Sequence, residues 1–467
     1  MSSKKKRESL KYSTKLAFAY GIGQFSDTIA LQTFVFFIFT FYFAVVNLNI
    51  NLITIVFIVW SLWNAFNDPL LGSLSDRTHS RWGRRKPFII LGIAPLCIVI
   101  VLLFTPILGS VFATFMYFLV MAIFFDISYT MVDLNYASLF PEMFQDLRER
   151  AKANTIKQFF TVLGLIVAFI LPTLFIPKLD DPLYLPNYGF SAIIMAVIVG
   201  IGFTICAIFG IKERKEFSED YKKAPSFLKS LKYSLKNKGF RTFIIANLCY
   251  WYVIGMLPTL VPLYGSFILE VGEGESFLLG LLLATTFISA AIFLPLWRYL
   301  AVKVGMRKGY MLANTVFIIT LIPFLFIDNI IIAFIIFFLV GIGLSGALLF
   351  ADILLAAVID DDEITTGLRR EGGYYGINAL ITKLSTIIVI LSISLVFNST
   401  GWAVFDPHPG INTIIGLKIL ISVFPAIALG IGIIAINRFP ITKEKYKQIK
   451  IEMGKIHQEK REKTREE

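Results

Sequence analysis

Charged residues, cysteines and histidines are scarce in this chain. Only 16% of its 467 residues are charged, 56% are hydrophobic, and the mean hydropathy is +0.73, which excludes an ordinary soluble enzyme. Its 3 Cys lie inside apolar stretches and its 3 His do not cluster, so neither a disulfide framework nor a zinc site is predicted. The sequence also has no Gly-rich phosphate loop and no Ser/His/Asp set, which argues against an ATP-driven pump and against an integral membrane enzyme.

Long apolar runs fill most of the chain. We count twelve runs of the length that crosses a bilayer, about 20 residues each. The charged segment 212–241 separates six spans from six, and WGRRKP at 82–87 is echoed by VGMRKG at 304–309, each after the second span of its half. The sequence therefore predicts an all-α polytopic membrane protein with the major facilitator fold of two six-helix bundles. The predicted segments are a basic N-terminus 1–15, bundles 16–211 and 242–437, the central loop 212–241, and a charged tail 438–467.

Basic residues indicate the orientation of the spans. Of the 44 Lys and Arg residues, 41 fall on one side of the predicted membrane, and only Lys178 and Lys418 fall on the other. Because short basic segments resist translocation, we predict a multi-pass plasma-membrane protein with both termini in the cytoplasm. The net charge of +12 reports this topology, so the expected partners are the bilayer and a small-molecule substrate rather than nucleic acid. We expect the monomer to be functional.

Six ionisable residues interrupt the apolar spans, where a lipid-facing charge is costly. Five of them are predicted to share one layer, roughly 10 to 17 Å from the basic side; they are Asp27, Asp68, Asp133, Asp352 and Lys383, and Asp126 lies elsewhere in span 4. Four carboxylates and one ammonium would leave a net charge of −3 in a low-dielectric cleft. This pattern favours ion-coupled transport, in which H⁺ or Na⁺ neutralises Asp27, Asp68 or Asp133 and Lys383 pairs with a carboxylate. No cofactor is expected.

Polar and aromatic residues follow one predicted helix face in span 4. Asp126, Tyr129, Thr130, Asp133 and Tyr136 recur at helical spacing, and span 11 places Asn378 near Lys383. Hydroxyl, amide and carboxylate groups mixed with rings suit a polyhydroxylated ligand. The alternative is that these groups bridge packed helices.

Two local patterns carry a family resemblance. They are NDPLLG at 67–72 followed by SDRTHSRWGRRKP at 75–87, and TGLRREGGYYG at 366–376 followed by Lys383. The chain resembles the glycoside-pentoside-hexuronide:cation symporter family, in its melibiose-permease branch. That resemblance implies a cation-site carboxylate at Asp68, a sugar-binding carboxylate at Asp133 and a site lysine at Lys383.

Three positions depart from the pattern of that branch. Asn64 replaces a second cation-site carboxylate, Ala137 replaces a sugar-stacking tryptophan, and Gln158 replaces a sugar-binding arginine. A single carboxylate can carry a proton but seldom completes a sodium shell, so the departures favour H⁺ over Na⁺. Asp68 is the position predicted for a sodium ion if one is used.

The sequence thus predicts a secondary transporter, not an enzyme, that carries out cation-coupled symport of a sugar or glycoside by alternating access. A transporter of lysophospholipid or another amphipathic solute on the same fold is the alternative. The predicted substrate-binding residues are Asp27, Tyr129, Asp133, Tyr136, Gln158, Asn378 and Lys383, and the predicted cation-binding residues are Asn64, Asp68 and Asp133. A breakable inner gate is predicted from Asp76, Arg77, Arg81, Arg84, Arg85, Glu142, Asp146, Arg369 and Arg370.

Overall fold

A computed structural model describes residues 14–78, 80–144, 147–213, 227–366 and 370–453. Within these ranges, twelve helices are long and apolar enough to cross a membrane, which confirms the predicted number of spans. The gate residues Asp146 and Arg369 lie outside the described residues.

The N-terminal bundle contains six long helices. They are α1 (Thr14–Thr40), α2 (Ile50–Arg77), α3 (Lys86–Leu103), α4 (Val111–Met143), α5 (Leu147–Ile170) and α6 (Leu185–Ile205). Single π-helical turns, Phe41–Val45 and Cys206–Gly210, extend α1 and α6. Side chains fix several helix starts: Asn49 accepts a hydrogen bond from the backbone of Asn51, and Ser110 accepts one from Ala113.

The C-terminal bundle also contains six long helices. They are α8 (Lys238–Phe267), α9 (Phe277–Val304), α10 (Met306–Leu321), α11 (Ile330–Thr366), α12 (Glu371–Ser399) and α13 (Ile411–Asn437). Within the predicted central segment 212–241, the structure describes the helix α7 (Phe227–Lys236) and places the start of α8 at Lys238, where Asn237 caps it. In the tail, residues 443–453 form a further helix, α14, whose Ile449 and Met453 are buried.

The two halves repeat one turn at matching positions. Gly83 precedes α3 and Gly305 precedes α10, and both have positive φ, 109° and 81°. Only glycine adopts this conformation without strain. A Cβ atom at Gly83 would lie 2.5 Å from the Glu213 carboxylate, and one at Gly305 would lie 3.0 Å from Lys443 Cβ. Each turn is therefore covered by the segment that follows the sixth long helix of its own bundle.

The alternating course of the helices gives the molecule two ends. We call the end with the turns at Gly83 and Gly305 and the tail the basic end, and the opposite end the far end. At the far end the bundles are joined by Asn51 and Asn398, whose side-chain amides exchange hydrogen bonds of 3.1 and 2.9 Å. Ser276 Oγ also donates to the carbonyl of Pro177 over 2.7 Å.

Rings and a close helix crossing reinforce the far end. Phe43 of the N-terminal bundle contacts Phe397 and Trp402 with ring centroids 5.1 and 5.2 Å apart. Deeper in the molecule, a Cβ atom at Gly280 of α9 would lie 2.1 Å from the carbonyl oxygen of Phe169, so α5 and α9 approach each other closely. The bundles are in contact at the far end in this conformation.

Candidate substrate and ion site

An ion pair joins the two bundles near the middle of the molecule. Lys383 of α12 donates to Asp68 Oδ2 of α2, and Thr130 Oγ1 of α4 donates to Asp68 Oδ1 over 3.1 Å. The two charged side chains retain 27% and 29% of their exposure, so water reaches both. Pro69 lacks an N–H and leaves the carbonyl of Ala65 without its helical donor, which loosens α2 beside the ion pair. The structure thus identifies which carboxylate Lys383 pairs with.

Two carboxyl groups lie together between α1 and α4. Asp27 is 8% exposed and has Asp133 and Tyr129 of α4 as interacting neighbours. Gln24 Nε2 donates to Asp27 Oδ2 over 3.1 Å, while the buried Oδ1 atom has no hydrogen-bond partner among the described residues. The charge of Lys157 on α5 acts on both carboxyl groups. This pair combines like charge with burial, the condition under which a shared proton stabilises two carboxyl groups.

A third carboxylate is satisfied by amides. Asp126 of α4 is 1% exposed, accepts a hydrogen bond from the Asn64 side chain, and accepts a second from Asn67 Nδ2 over 2.9 Å. Asn64 therefore lies next to Asp126, whereas the sequence assigned it to a cation site with Asp68. The sequence placed Asp126 on the polar face of span 4 without a role, and its pairing with the amides of Asn64 and Asn67 is what the structure adds.

The C-terminal bundle contributes amide groups of α8 and α12. Asn378 Oδ1 of α12 accepts a hydrogen bond of 2.8 Å from Asn247 of α8, so the predicted ligand Asn378 is part of an amide pair. Asp352, predicted to share the charged layer, is exposed and has Tyr250 of α8 as a neighbour. Its position is apart from the acidic residues of the N-terminal bundle.

Two predicted substrate ligands are placed differently by the structure. Tyr136 is fully buried, stacks on Tyr20 with ring centroids 4.3 Å apart, and donates its hydroxyl to the carbonyl of Tyr20 over 2.8 Å. It packs α4 against α1 in this conformation. Gln158 is exposed, and the preceding residue, Lys157, is the polar group of α5 that acts on the carboxyl pair. Lys157 was counted in the sequence only as a topology signal.

An ion-pair cluster lies at the basic end of the N-terminal bundle. Arg85 contacts Asp76 at 3.0 Å and Glu142 at 2.8 Å, and Arg84 contacts Glu142 at 2.5 Å. Burial raises the pKa of Glu142, against the opposing effect of the two guanidinium groups. Glu213 adds a carboxylate that accepts hydrogen bonds from the backbone N–H groups of residues 84, 85 and 86, over 2.8, 2.9 and 2.5 Å.

The remaining gate residues divide between the two bundles. Arg77 and Arg81 are exposed, and the guanidinium of Arg81 lies 5.1 Å from the centroid of the Trp82 ring. In the C-terminal bundle Arg370 contacts Asp362 at 2.5 Å and lies over the Tyr233 ring. The ion pairs described at the basic end thus lie within one bundle or the other, and a gate between the bundles stays a prediction.

Nearly the whole chain matches a known protein family. A model of the family described as MFS/sugar transport protein matches residues 19–443. The chain belongs to this family. The family and the fold are those of major facilitator transporters, which carry small-molecule substrates and are not enzymes. Its relatives and its twelve apolar helices make it a multi-pass plasma-membrane protein.

Individual relatives include sugar and lipid symporters. The chain is 24% identical to the isoprimeverose transporter of Lactiplantibacillus pentosus, covering 91% of this chain and 88% of that protein. It is 23% identical to the sodium-dependent lysophosphatidylcholine symporter 1 of Gallus gallus, covering 97% of this chain and 91% of that protein. The predicted membership of a glycoside-cation symporter family is confirmed.

The fold is shared with solved transporters. The crystal structure of the nucleoside transporter NupG aligns with a TM-score of 0.67 over 91% of this chain and 100% of that one, at 13% sequence identity. At this low sequence identity the similarity shows a shared fold. It confirms the predicted major facilitator architecture.

Proposed function

We propose that this protein carries out cation-coupled symport of a sugar or glycoside by alternating access, with H⁺ as the coupling ion and its basic end in the cytoplasm. The observation that carries the proposal is the ion pair between Asp68 of α2 and Lys383 of α12, because it links the two bundles through charges that a proton or a ligand can separate. Sugar-transporting relatives such as the isoprimeverose transporter support the substrate class.

The arrangement of the carboxyl groups favours H⁺ over Na⁺. A sodium ion needs several oxygen ligands, but Asp68 already accepts hydrogen bonds from Lys383 and Thr130, and Asp126 already accepts hydrogen bonds from the amide N–H groups of residues 64 and 67. The neighbouring carboxyl groups of Asp27 and Asp133 suit a single proton held between them.

The polar interior also suits a substrate rich in hydroxyl groups. The Asp27 carboxyl group has a buried oxygen without a described partner, and Tyr129, Asp133 and Lys157 lie around it. We infer that these groups and Lys383 bind sugar hydroxyls. Substrate that competes for Lys383 would weaken its ion pair with Asp68 and release one bundle from the other, which is the step that couples binding to the change of access.

Transport into proteoliposomes loaded with a pH-sensitive dye tests the proposal. A panel of monosaccharides, disaccharides and glycosides is offered with and without sodium, and internal pH is followed together with uptake. Sugar-dependent acidification without sodium supports the proposal, whereas uptake that requires sodium and moves no protons contradicts the choice of ion.

The second candidate is transport of a lysophospholipid. It is favoured by the similarity to the lysophosphatidylcholine symporter, which covers 97% of this chain. Lysophosphatidylcholine is therefore one arm of the same experiment. Uptake of that lipid, with no response to any sugar, would replace the sugar proposal.

A further inference from the structure

A cavity lies at the basic end of the C-terminal bundle, away from the carboxylates of the interior. Its volume is about 560 Å³, and it is enclosed by the end of α9, the start of α10, the end of α13 and the start of α14. Four of its lining residues are basic: Lys303, Arg307, Lys308 and Lys443. We call this the basic cavity.

Hydrogen bonds give the basic cavity a defined wall. Lys443 Nζ donates to the carbonyl of Lys303 over 2.8 Å, which ties α14 to α9. Arg307 donates to Asn437 Oδ1 over 3.0 Å, which ties α10 to α13. Glu444 also lines the cavity. The hydrogen bonds of its carboxylate to its own backbone N–H and to Thr442, together with the charges of the nearby lysines, lower its pKa. The balance of the lining charges is positive.

The equivalent turn of the N-terminal bundle shows what this geometry accommodates. There the carboxylate of Glu213 covers the turn at Gly83 and accepts three backbone hydrogen bonds at the start of α3. At the matching turn, Gly305 is approached by Lys443, a cation. The backbone N–H groups after the turn are thus bound by a carboxylate in the N-terminal bundle, whereas the matching turn in the C-terminal bundle is surrounded by cations.

The surface beside the basic cavity suits an anion that carries acyl chains. On α9, Val302 is 79% exposed and Tyr299 is 62% exposed, so apolar surface that suits acyl chains adjoins the cavity. Met311 adds an apolar group to the lining. Basic pockets at the ends of membrane helices are typical sites for anionic lipid headgroups.

We propose that the basic cavity binds a phosphate group, that of an anionic phospholipid headgroup or of free phosphate, as a bound component separate from the transported substrate. The four cations bind the phosphate oxygens, and the exposed face of α9 receives the acyl chains when the source is a lipid. The proposal is independent of the function proposed above, since none of the lining residues belongs to the polar interior.

Thermal unfolding of the purified full-length protein in detergent tests the site. The melting temperature is measured while phosphatidylglycerol, diacylglycerol with the same acyl chains, or sodium phosphate is added at constant ionic strength. The variant K303Q/K308Q removes two cations from the basic cavity. The matched control K236Q/K238Q removes two exposed lysines from the same end of the molecule, outside the cavity.

The proposal expects phosphatidylglycerol to raise the melting temperature of the native protein and diacylglycerol to leave it unchanged. The cavity variant should need roughly tenfold more phosphatidylglycerol for half of the effect, and the control should behave as the native protein does. Stabilisation by sodium phosphate that is weakened in the same way would support the site with free phosphate as its source. An equal response to diacylglycerol, no response to either phosphate compound, or equal losses in the two variants would overturn the proposal.

Discussion

The two bundles share a fold but differ in the ionisable groups that they place near the middle of the molecule. The N-terminal bundle holds four carboxylic acids and a lysine in its interior, Asp27, Asp68, Asp126, Asp133 and Lys157. The C-terminal bundle contributes Lys383 and an amide pair, and its Asp352 is exposed. Among the described residues, the ionisable groups of the polar interior therefore come mainly from the N-terminal bundle, and Lys383 of the other bundle contacts them. The buried carboxylates of the C-terminal bundle lie instead at the basic end of α11, at residues 360, 362 and 363.

Removing an acidic group from the N-terminal bundle gives the largest expected effect. In Asp68→Asn and in Asp133→Asn, the ratio of internal to external sugar should fall to about one, because a carrier without coupling only equilibrates its substrate. Radiolabelled sugar uptake into energised vesicles measures this ratio. Asp328→Asn, at an exposed far-end position, is the control that keeps normal accumulation. Normal accumulation in both acidic-site variants would refute the site assignment.

Removing the cation of the C-terminal bundle should reduce stability. Lys383→Ala leaves Asp68 without its ion-pair partner, which we expect to cost about 1 kcal/mol, because water reaches both charges and screens the pair. Thermal unfolding in detergent measures the loss. The double variant Asp68→Asn/Lys383→Ala should recover part of it, since no uncompensated charge remains. If the double variant is less stable by the sum of the single effects, the ion pair does not carry the coupling between these residues.

Two neighbouring residues of α5 in the N-terminal bundle should differ in their effect on sugar affinity. Lys157→Gln should weaken the apparent affinity for sugar about tenfold, the effect of losing one charged hydrogen bond. Gln158→Ala, one residue further along and exposed, should change it less than about twofold. The dependence of the initial uptake rate on sugar concentration measures the apparent affinity of each variant. A larger effect at Gln158 would favour the prediction made from the sequence over the assignment to Lys157.

The smallest expected effect concerns the contact between the bundles at the far end. Asp180 is 4% exposed and accepts a hydrogen bond of 2.9 Å from Ser266 of α8, and burial raises its pKa despite that bond. A raised pKa in the folded state means that folding binds a proton, so the stability contributed by Asp180 falls as pH rises from about 4.

Asp180→Asn keeps the acceptor oxygen and removes the charge. It should be up to about 1 kcal/mol more stable than the native protein at neutral pH, and the gain should shrink toward pH 4. Unfolding at several pH values measures the difference, with the adjacent Asp181→Asn as the matched control. A gain that does not depend on pH would contradict the assignment of the effect to this carboxyl group.

Sequence reasoning predicted the number of spans and the two-bundle fold, because both depend on hydropathy. The cost of charge in lipid also predicted that Asp27 and Asp126 avoid it, and both are buried, whereas Asp352 is exposed. Sequence reasoning identified Lys383 as a partner for a carboxylate but not which one, since that choice depends on the packing of α2 against α12.

Tyr136 faces α1, as Tyr129 and Asp133 do, and in this conformation its ring stacks on Tyr20. That contact depends on the packing of α4 against α1, which the spacing of residues along one helix does not give.

Lys157 and Gln158 lie on different faces of α5. Successive helical residues differ by about 100°, so a match carried over from a family pattern with a shift of one residue selects a different face of the helix. Asp126 shows another limit, because its partners Asn64 and Asn67 come from α2 and depend on the register between two helices. Turn geometry was better encoded: the repeat at 82–87 and 304–309 marks two glycines with the same backbone conformation.

We infer that the ion pair between Asp68 and Lys383 couples proton movement to sugar movement. Sugar exchange at equal concentrations and sugar-driven proton entry can be measured in the same Asp68→Asn proteoliposomes. We expect exchange to continue while sugar-driven proton entry is lost. Proton entry at the native rate in this variant would contradict this coupling.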